Sequence, residues 1–291
     1  MIRILGLFLS RVPWLCLMGW ASVVSSTELR AQFSPYLPSA GRSEVTVSHT
    51  YVTFDAFWAG SVKLGTQATL GSSGKDQSTT LLTLEHGLNE RWALDLTVGT
   101  SRVEMGSFPS DEGLVDTQVG LRYLMVDEAE SFNRWAPTLA LRLGGILAGD
   151  YNEGVPFSSG DGASGFEVSF LAGRALGRHL TLLGDLGYRW RNKEVPDDVF
   201  GSLGLAASWR SMIFSAAWRY DGAVSGLTIL GPGFGTVGGF PQTRERNSTL
   251  QVGWGGAVND RLFLQGYVAR TLDGENTGDK RIVGGSVTLS F

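Results

Sequence analysis

Apolar and polar residues alternate along most of this chain with a period of two. In "RWALDLTVG", Trp92, Leu94, Leu96 and Val98 fall on one side and Ala93, Asp95, Thr97 and Gly99 on the other. "VDTQVGLRY" sets Val115, Val119, Leu121 and Tyr123 against Asp116, Gln118, Gly120 and Arg122. "LTLLGDLGYRW" repeats the pattern, with Leu182, Leu186, Tyr188 and Trp190 opposite Asp185, Gly187 and Arg189. That period belongs to strands with two unlike faces.

With the weaker segments included, the alternation predicts about twelve strands, each near the length that crosses a bilayer when tilted. They lie near 44–58, 78–88, 91–103, 114–126, 135–148, 164–176, 180–191, 198–210, 211–221, 245–257, 262–271 and 281–291. The connections rotate between long, such as 59–77, 104–113, 149–163 and 222–244, and short, such as 89–90 and 210–211. Membrane barrels have this rotation of short periplasmic turns and longer external loops. A sheet edge left open in lipid strands its backbone groups without water, so the sheet must close on itself. The expected fold is all-β: a transmembrane up-and-down antiparallel β-barrel over residues 43–291.

The aromatics agree with this reading. Trp92, Tyr123, Trp135, Trp209, Trp254 and Phe291 fall toward the short-turn end. Phe57, Phe166, Tyr188, Trp190, Trp218 and Tyr220 fall toward the other end. Two such girdles mark the two membrane interfaces. The last strand, "RIVGGSVTLSF", keeps Val287, Leu289 and Phe291 on one face. It resembles the C-terminal signature of bacterial outer-membrane barrels, which ends on an aromatic residue. That resemblance implies recognition by the barrel assembly machinery.

Composition places the chain in a compartment. Residues 1–26 hold Arg3 and Arg11 and an apolar run from Val12 to Val24, followed by Ser25 and Ser26. This is the pattern of a secretory signal, cut after residue 26 or as late as Ala31; an uncleaved anchor is the alternative. Residues 27–42 read as a polar, mobile periplasmic lead-in. The single cysteine, Cys16, lies in the signal, so the mature chain has no disulfide. Glycine is abundant at 40 of 291 residues, only 18% are charged, and the net charge is -4 with no basic block. Nothing here suits a nucleic-acid partner. The expected surroundings are the lipids of the bacterial outer membrane.

The inward face supplies the candidate functional residues. It carries Glu44, Glu85, Asp95, Asp116, Glu167, Asp185 and Asp221 together with Arg122, Arg142, Arg189, Arg191, Arg210 and Arg219. Charges on a barrel wall persist only where they meet partners or water. They line a mixed-charge pore or knit a plug across the lumen. Inward glycines, including Gly99, Gly120, Gly144, Gly173 and Gly187, leave room along the wall and lean toward a passage. The loop 222–244, with "LTILGPGFGTVGGFP", folds into the mouth or packs on its neighbours.

Catalytic and metal chemistry find little material. Of three histidines, His49 faces lipid, as the histidine of outer-membrane phospholipases does, but Tyr51 stands where a serine is wanted; no enzyme is expected. No cofactor or metal is expected either. "TLDGENTGD" lacks the spacing of a calcium loop and reads as a solvated external loop.

Several stretches resemble one family. "EHGLNERWALDLTVG", "GLVDTQVGLRYLM", "APTLALRLGGILAGD" and "LFLQGYVARTLDGENTG" look like outer-membrane barrels described as transporters of the MetA pathway of phenol degradation. The likeness runs from about Leu82 to Phe291 and rests on turn and wall residues. It implies a barrel that passes small solutes, hydrophobic or aromatic ones among them, without an energy source. The alternative is a plugged barrel with a structural or surface-interaction role.

Overall fold

The computed structural model describes residues 34–67, 74–106, 108–133, 135–152, 158–229, 231–234 and 237–291. The expected signal peptide and the lead-in before Ser34 lie outside the described residues. In chain order the strands are β1 (Ser43–Phe54), β2 (Ala56–Ala59), β3 (Val62–Gly65), β4 (Lys75–Asn89), β5 (Trp92–Met105), β6 (Phe108–Leu114), β7 (Thr117–Val126) and β8 (Thr138–Leu147). They continue as β9 (Gly165–Ala175), β10 (Leu180–Arg191), β11 (Asp198–Trp209), β12 (Met212–Ala223), β13 (Arg246–Ala257), β14 (Leu262–Glu275) and β15 (Arg281–Ser290).

Twelve of these form one closed antiparallel ring in the order β1, β4, β5, β7 and then β8 through β15. Closure falls between the first and last strands, from Glu44 opposite Ser290 to Thr53 opposite Arg281. Beyond the last strand, Phe291 and Ser43 exchange backbone hydrogen bonds of 3.0 and 2.9 Å. The C-terminus is thus stitched into the ring to its final residue. An even strand count follows, because neighbours alternate in direction all the way round.

Local chemistry sets the short turns. Asn89 Oδ1 accepts from the amides of Arg91 and Trp92 at 2.9 and 3.0 Å. Asn259 Oδ1 does the same for Arg261 and Leu262, both at 2.9 Å. Each asparagine imitates a backbone carbonyl and reverses the chain within a few residues. On the outward face, leucines, valines and aromatic rings stay exposed, as a lipid-facing surface requires. Trp92 and Tyr123 pack with ring centres 4.5 Å apart at one end, and Tyr188 and Trp190 at 4.7 Å at the other.

Three expectations need correction. The first strand does not run to residue 58: the chain turns at Asp55, and residues 56–65 double back as the β2–β3 hairpin. Phe57 therefore leaves the outer girdle and is buried with Phe54, Ala59, Met105 and Ile229. The stretch 104–113 is only partly a loop, since β6 pairs with the outer half of β5. The lead-in, where described, is held in place: Ser34 and Pro35 are buried, and the Gly41 amide donates to the Gly87 carbonyl at 2.7 Å.

Candidate functional site

The inward face of the ring divides into three kinds of wall. On β15, β1, β4 and β5 it is built of hydroxyls. Thr46 and Thr288 are hydrogen-bonded at 2.9 Å, Thr83 and Thr97 at 3.1 Å, and Thr50 meets the Tyr267 hydroxyl at 2.6 Å. Small hydroxyl side chains pair across strands and leave no donor stranded.

Along the second wall runs a ladder that takes one charged side chain from each of seven neighbouring strands, β4 to β11. They are Glu85, Asp95, Arg122, Arg142, Glu167, Arg189 and Asp198. Register alone gives an awkward pattern, because Glu85 lies opposite Asp95 and Arg122 opposite Arg142. Like charges in directly opposed positions repel. The side chains resolve this along diagonals. Arg122 reaches Glu85 at 2.9 Å and Asp95 at 3.6 Å. Arg142 forks onto Asp95 with bonds of 2.8 and 3.2 Å and also holds Glu167. Arg189 bridges Glu167 at 3.1 Å to Asp198 at 3.2 Å. Arg122, Arg142, Asp95 and Glu167 are all at most 2% exposed, so each charge depends on its partners rather than on water.

Gly120 and Gly144 make this ladder possible. A Cβ on Gly120 would lie 2.4 Å from Asp95 Oδ2, and one on Gly144 would lie 2.7 Å from Arg142 Nη1. The glycines do leave room, but the room is taken by ion pairs and not by an open path.

The third wall, on the short-turn part of β10 and β11 and on the strands that follow, is apolar. Leu183, Ala206, Ile213, Ala217 and Phe263 form one cluster on β10, β11, β12 and β14. Tyr36 of the lead-in packs against it. Gly173 admits the lead-in, since a Cβ there would meet Pro35 at 2.7 Å. The Tyr36 hydroxyl donates to Glu128 at 3.1 Å, and Glu128 also accepts from the Ala175 amide at 3.1 Å. Burial, with the Glu128 carboxylate second, raises the pKa of this phenol well above the ordinary tyrosine range. It stays a neutral donor at any physiological pH.

The remaining charges cluster toward the long-loop end. Arg191 binds Asp116 at 3.2 Å and also Asp161. Asp116 further accepts from the Tyr151 hydroxyl at 2.6 Å. Arg219 forks onto Asp221 at 2.8 and 3.1 Å. Asp185 accepts from the Ser202 hydroxyl. Arg210 is a correction: it occupies the β11–β12 turn with φ of 56°, exposed, its guanidinium 5.0 Å from the Trp209 ring. It does not join the other arginines.

Around these groups lies a cavity of about 620 Å³. Asp116, Arg189, Arg191, Arg219 and Asp221 line it, with Thr79, Gln118, Asn247, Thr249 and Gln251 between them. Phe54, Phe240 and Tyr267 add rings. On the side of the short turns its lining ends at Leu81, Thr97 and Gln118.

One side of its mouth is roofed by loops that meet on Asn276. The buried Asn276 Oδ1 accepts from the amides of Gly60 at 2.8 Å and Ile229 at 2.9 Å, and its Nδ2 donates to the Arg244 carbonyl at 2.8 Å. Phe240 and Pro241 of the 222–244 loop line the cavity, so this loop does turn into the mouth.

Sequence reading missed Asp198, Asp161, Tyr36 and Asn276. Asp198 carried a signal, since it shares the inward parity of Phe200 and Ser202. The other three lie outside the alternating segments, where no period marks them.

His49 Nδ1 meets Thr80 Oγ1 at 2.9 Å, and His86 Nδ1 meets Ser43 Oγ at 2.8 Å, both on the outward face. Among the described residues no group of three or more His, Cys, Asp or Glu side chains is placed to hold a metal ion.

A closed twelve-stranded barrel with a polar cavity inside it defines a class of molecule, the membrane β-barrels. Comparison with solved structures places the fold more closely. The COG4313 outer membrane channel from Pseudomonas putida F1 matches with a TM-score of 0.70 at 14% identity, over 88% of this chain and 97% of that one. At that identity the likeness is one of fold. The NanC porin (TM-score 0.49, 8% identity, 85% and 98% covered) and the CymD monoaromatic hydrocarbon channel (0.45, 10%, 94% and 93%) are more distant and carry no weight here. No protein-family model matches the chain, and no curated relative does.

Proposed function

We propose that this chain is a β-barrel of the bacterial outer membrane that lets small solutes cross passively, delivered there by a signal peptide over residues 1–26 with cleavage between 26 and 31. The observation that carries the reading is the cavity of about 620 Å³ inside a closed ring. Its lining of paired ions, amides and hydroxyls favours solutes that form hydrogen bonds. Phe240, partly exposed in that lining, offers a ring beside those groups, which suits small aromatics with hydroxyl or carboxyl substituents better than plain hydrocarbons. This agrees with the resemblance to barrels linked to phenol degradation. Liposome swelling with the mature chain tests it: phenolic acids and small sugars enter, and entry of neither defeats the reading.

The apolar wall and the lead-in favour a second reading, a barrel plugged at its short-turn end. It expects a folded wild type with no permeability and a variant lacking residues 34–40 that admits solutes.

A further inference from the structure

We propose that Arg246, Arg270 and Arg281, on the outward face at the long-loop ends of β13, β14 and β15, bind the phosphate of a phosphorylated glycolipid of the outer leaflet. The inference rests on the outer-membrane reading above.

Arg270 and Arg281 are directly opposed across β14 and β15. Two like charges in that relation repel, and an anion between them removes the penalty. Among the direct contacts, Glu275 serves Arg244 and Arg246, Asp279 serves Lys63 and Arg270, and Asp55 serves Arg281, so three acids are shared by five cations, while Asp273 stands exposed on β14 opposite Ser248. Arg244 and Lys63 take the close contacts, Lys63 at 2.5 Å from Asp279. The outward arginines keep only long ones, 3.5 Å for Arg246, 3.9 Å for Arg270 and 3.6 Å for Arg281. Their side chains are 46, 64 and 60% exposed, leaving donors directed away from the barrel.

Position selects the kind of anion. Directly toward the short turns from Arg270 and Arg281 on the same face lie Val268 and Val283, both exposed, while Arg246 stands further out on β13, opposite Glu275. An anion here has charge beside the arginines and hydrocarbon beside the valines, the arrangement of a lipid whose phosphate sits above its acyl chains. Guanidinium binds phosphate through paired, charge-assisted hydrogen bonds. Elsewhere on the outward face, the long-loop ends of β9, β10 and β12 carry Phe166, Trp190 and Trp218 instead, so the cationic surface is local.

Native mass spectrometry of the refolded mature chain reads the binding directly. The probes are a bisphosphorylated diglucosamine lipid, its monophosphorylated form and its phosphate-free form. The wild type retains them in that order. The triple variant R246Q/R270Q/R281Q loses retention of the bisphosphorylated lipid by about tenfold or more, the loss expected from even one charge-assisted hydrogen bond. R270Q and R281Q alone show partial losses, which guards against a triple variant that fails to fold. R102Q, on β5 and already held by Glu104 at 2.7 Å, changes nothing. Equal retention by the triple variant, equal binding of the phosphate-free lipid, or full displacement by excess inorganic phosphate overturns the proposal. Conductance in bilayers free of the glycolipid reports on transport separately, so failure of one reading is not mistaken for failure of the other.

Discussion

Two adjoining stretches of the inner wall, which share β10 and β11, fill similar space by opposite means. On β4 to β11, Arg122 and Arg142 are as buried as any leucine and survive because carboxylates surround them. On β10 to β14, Leu183, Ile213 and Phe263 exclude water by packing, with Tyr36 against them. Ionic contacts demand correct partners, whereas apolar contacts demand only volume. The contrast predicts that the ionic wall tolerates change least.

The largest expected effect is at Arg142. Arg142→Ala leaves Asp95 and Glu167 as buried carboxylates short of a partner and destabilises the barrel by about 3–5 kcal/mol. Urea unfolding in lipid vesicles, followed by tryptophan fluorescence, measures it. Adding Asp95→Asn and Glu167→Gln to that variant recovers much of the loss; no recovery breaks the comparison.

Next comes Phe263→Ala on the apolar wall, expected to cost about 3 kcal/mol in the same assay if that wall is dry. A cost below about 1 kcal/mol marks it as hydrated, since the lost transfer and cavity contributions together exceed that. Gly120→Ala places a methyl group against the Asp95 carboxylate and costs about 1–3 kcal/mol through overpacking. The smallest effect is at Arg210, where Arg210→Ala stays within about 0.5 kcal/mol, as for an exposed turn residue. A larger loss there returns Arg210 to the ion network.

Much of this contrast was legible in the chain, and the remainder was hidden for definite reasons. Alternation identifies the strands and the face of each residue, so Glu85, Asp95, Arg122, Arg142 and Glu167 were read as inward. It does not give the stagger between strands, so it could not show that Arg122 lies opposite Arg142 or that Gly120 is filled by the Asp95–Arg142 pair. The stretch after Phe54 alternates like a strand because it is one, but it belongs to a hairpin folded over the mouth. Tyr36 lies in a proline-bearing polar segment whose docking depends on Gly173, a residue remote in sequence. Asn276 joins three loops through its side chain, and no periodic signal marks such a joint.

The most direct test of the central claim, passive passage through this lumen, is single-channel recording of the refolded mature chain in a planar bilayer. The claim expects steady conductance that falls when a phenolic acid occupies the cavity beside Arg189 and Arg219. Silence from a barrel shown to be folded by its heat-modifiable gel mobility contradicts it.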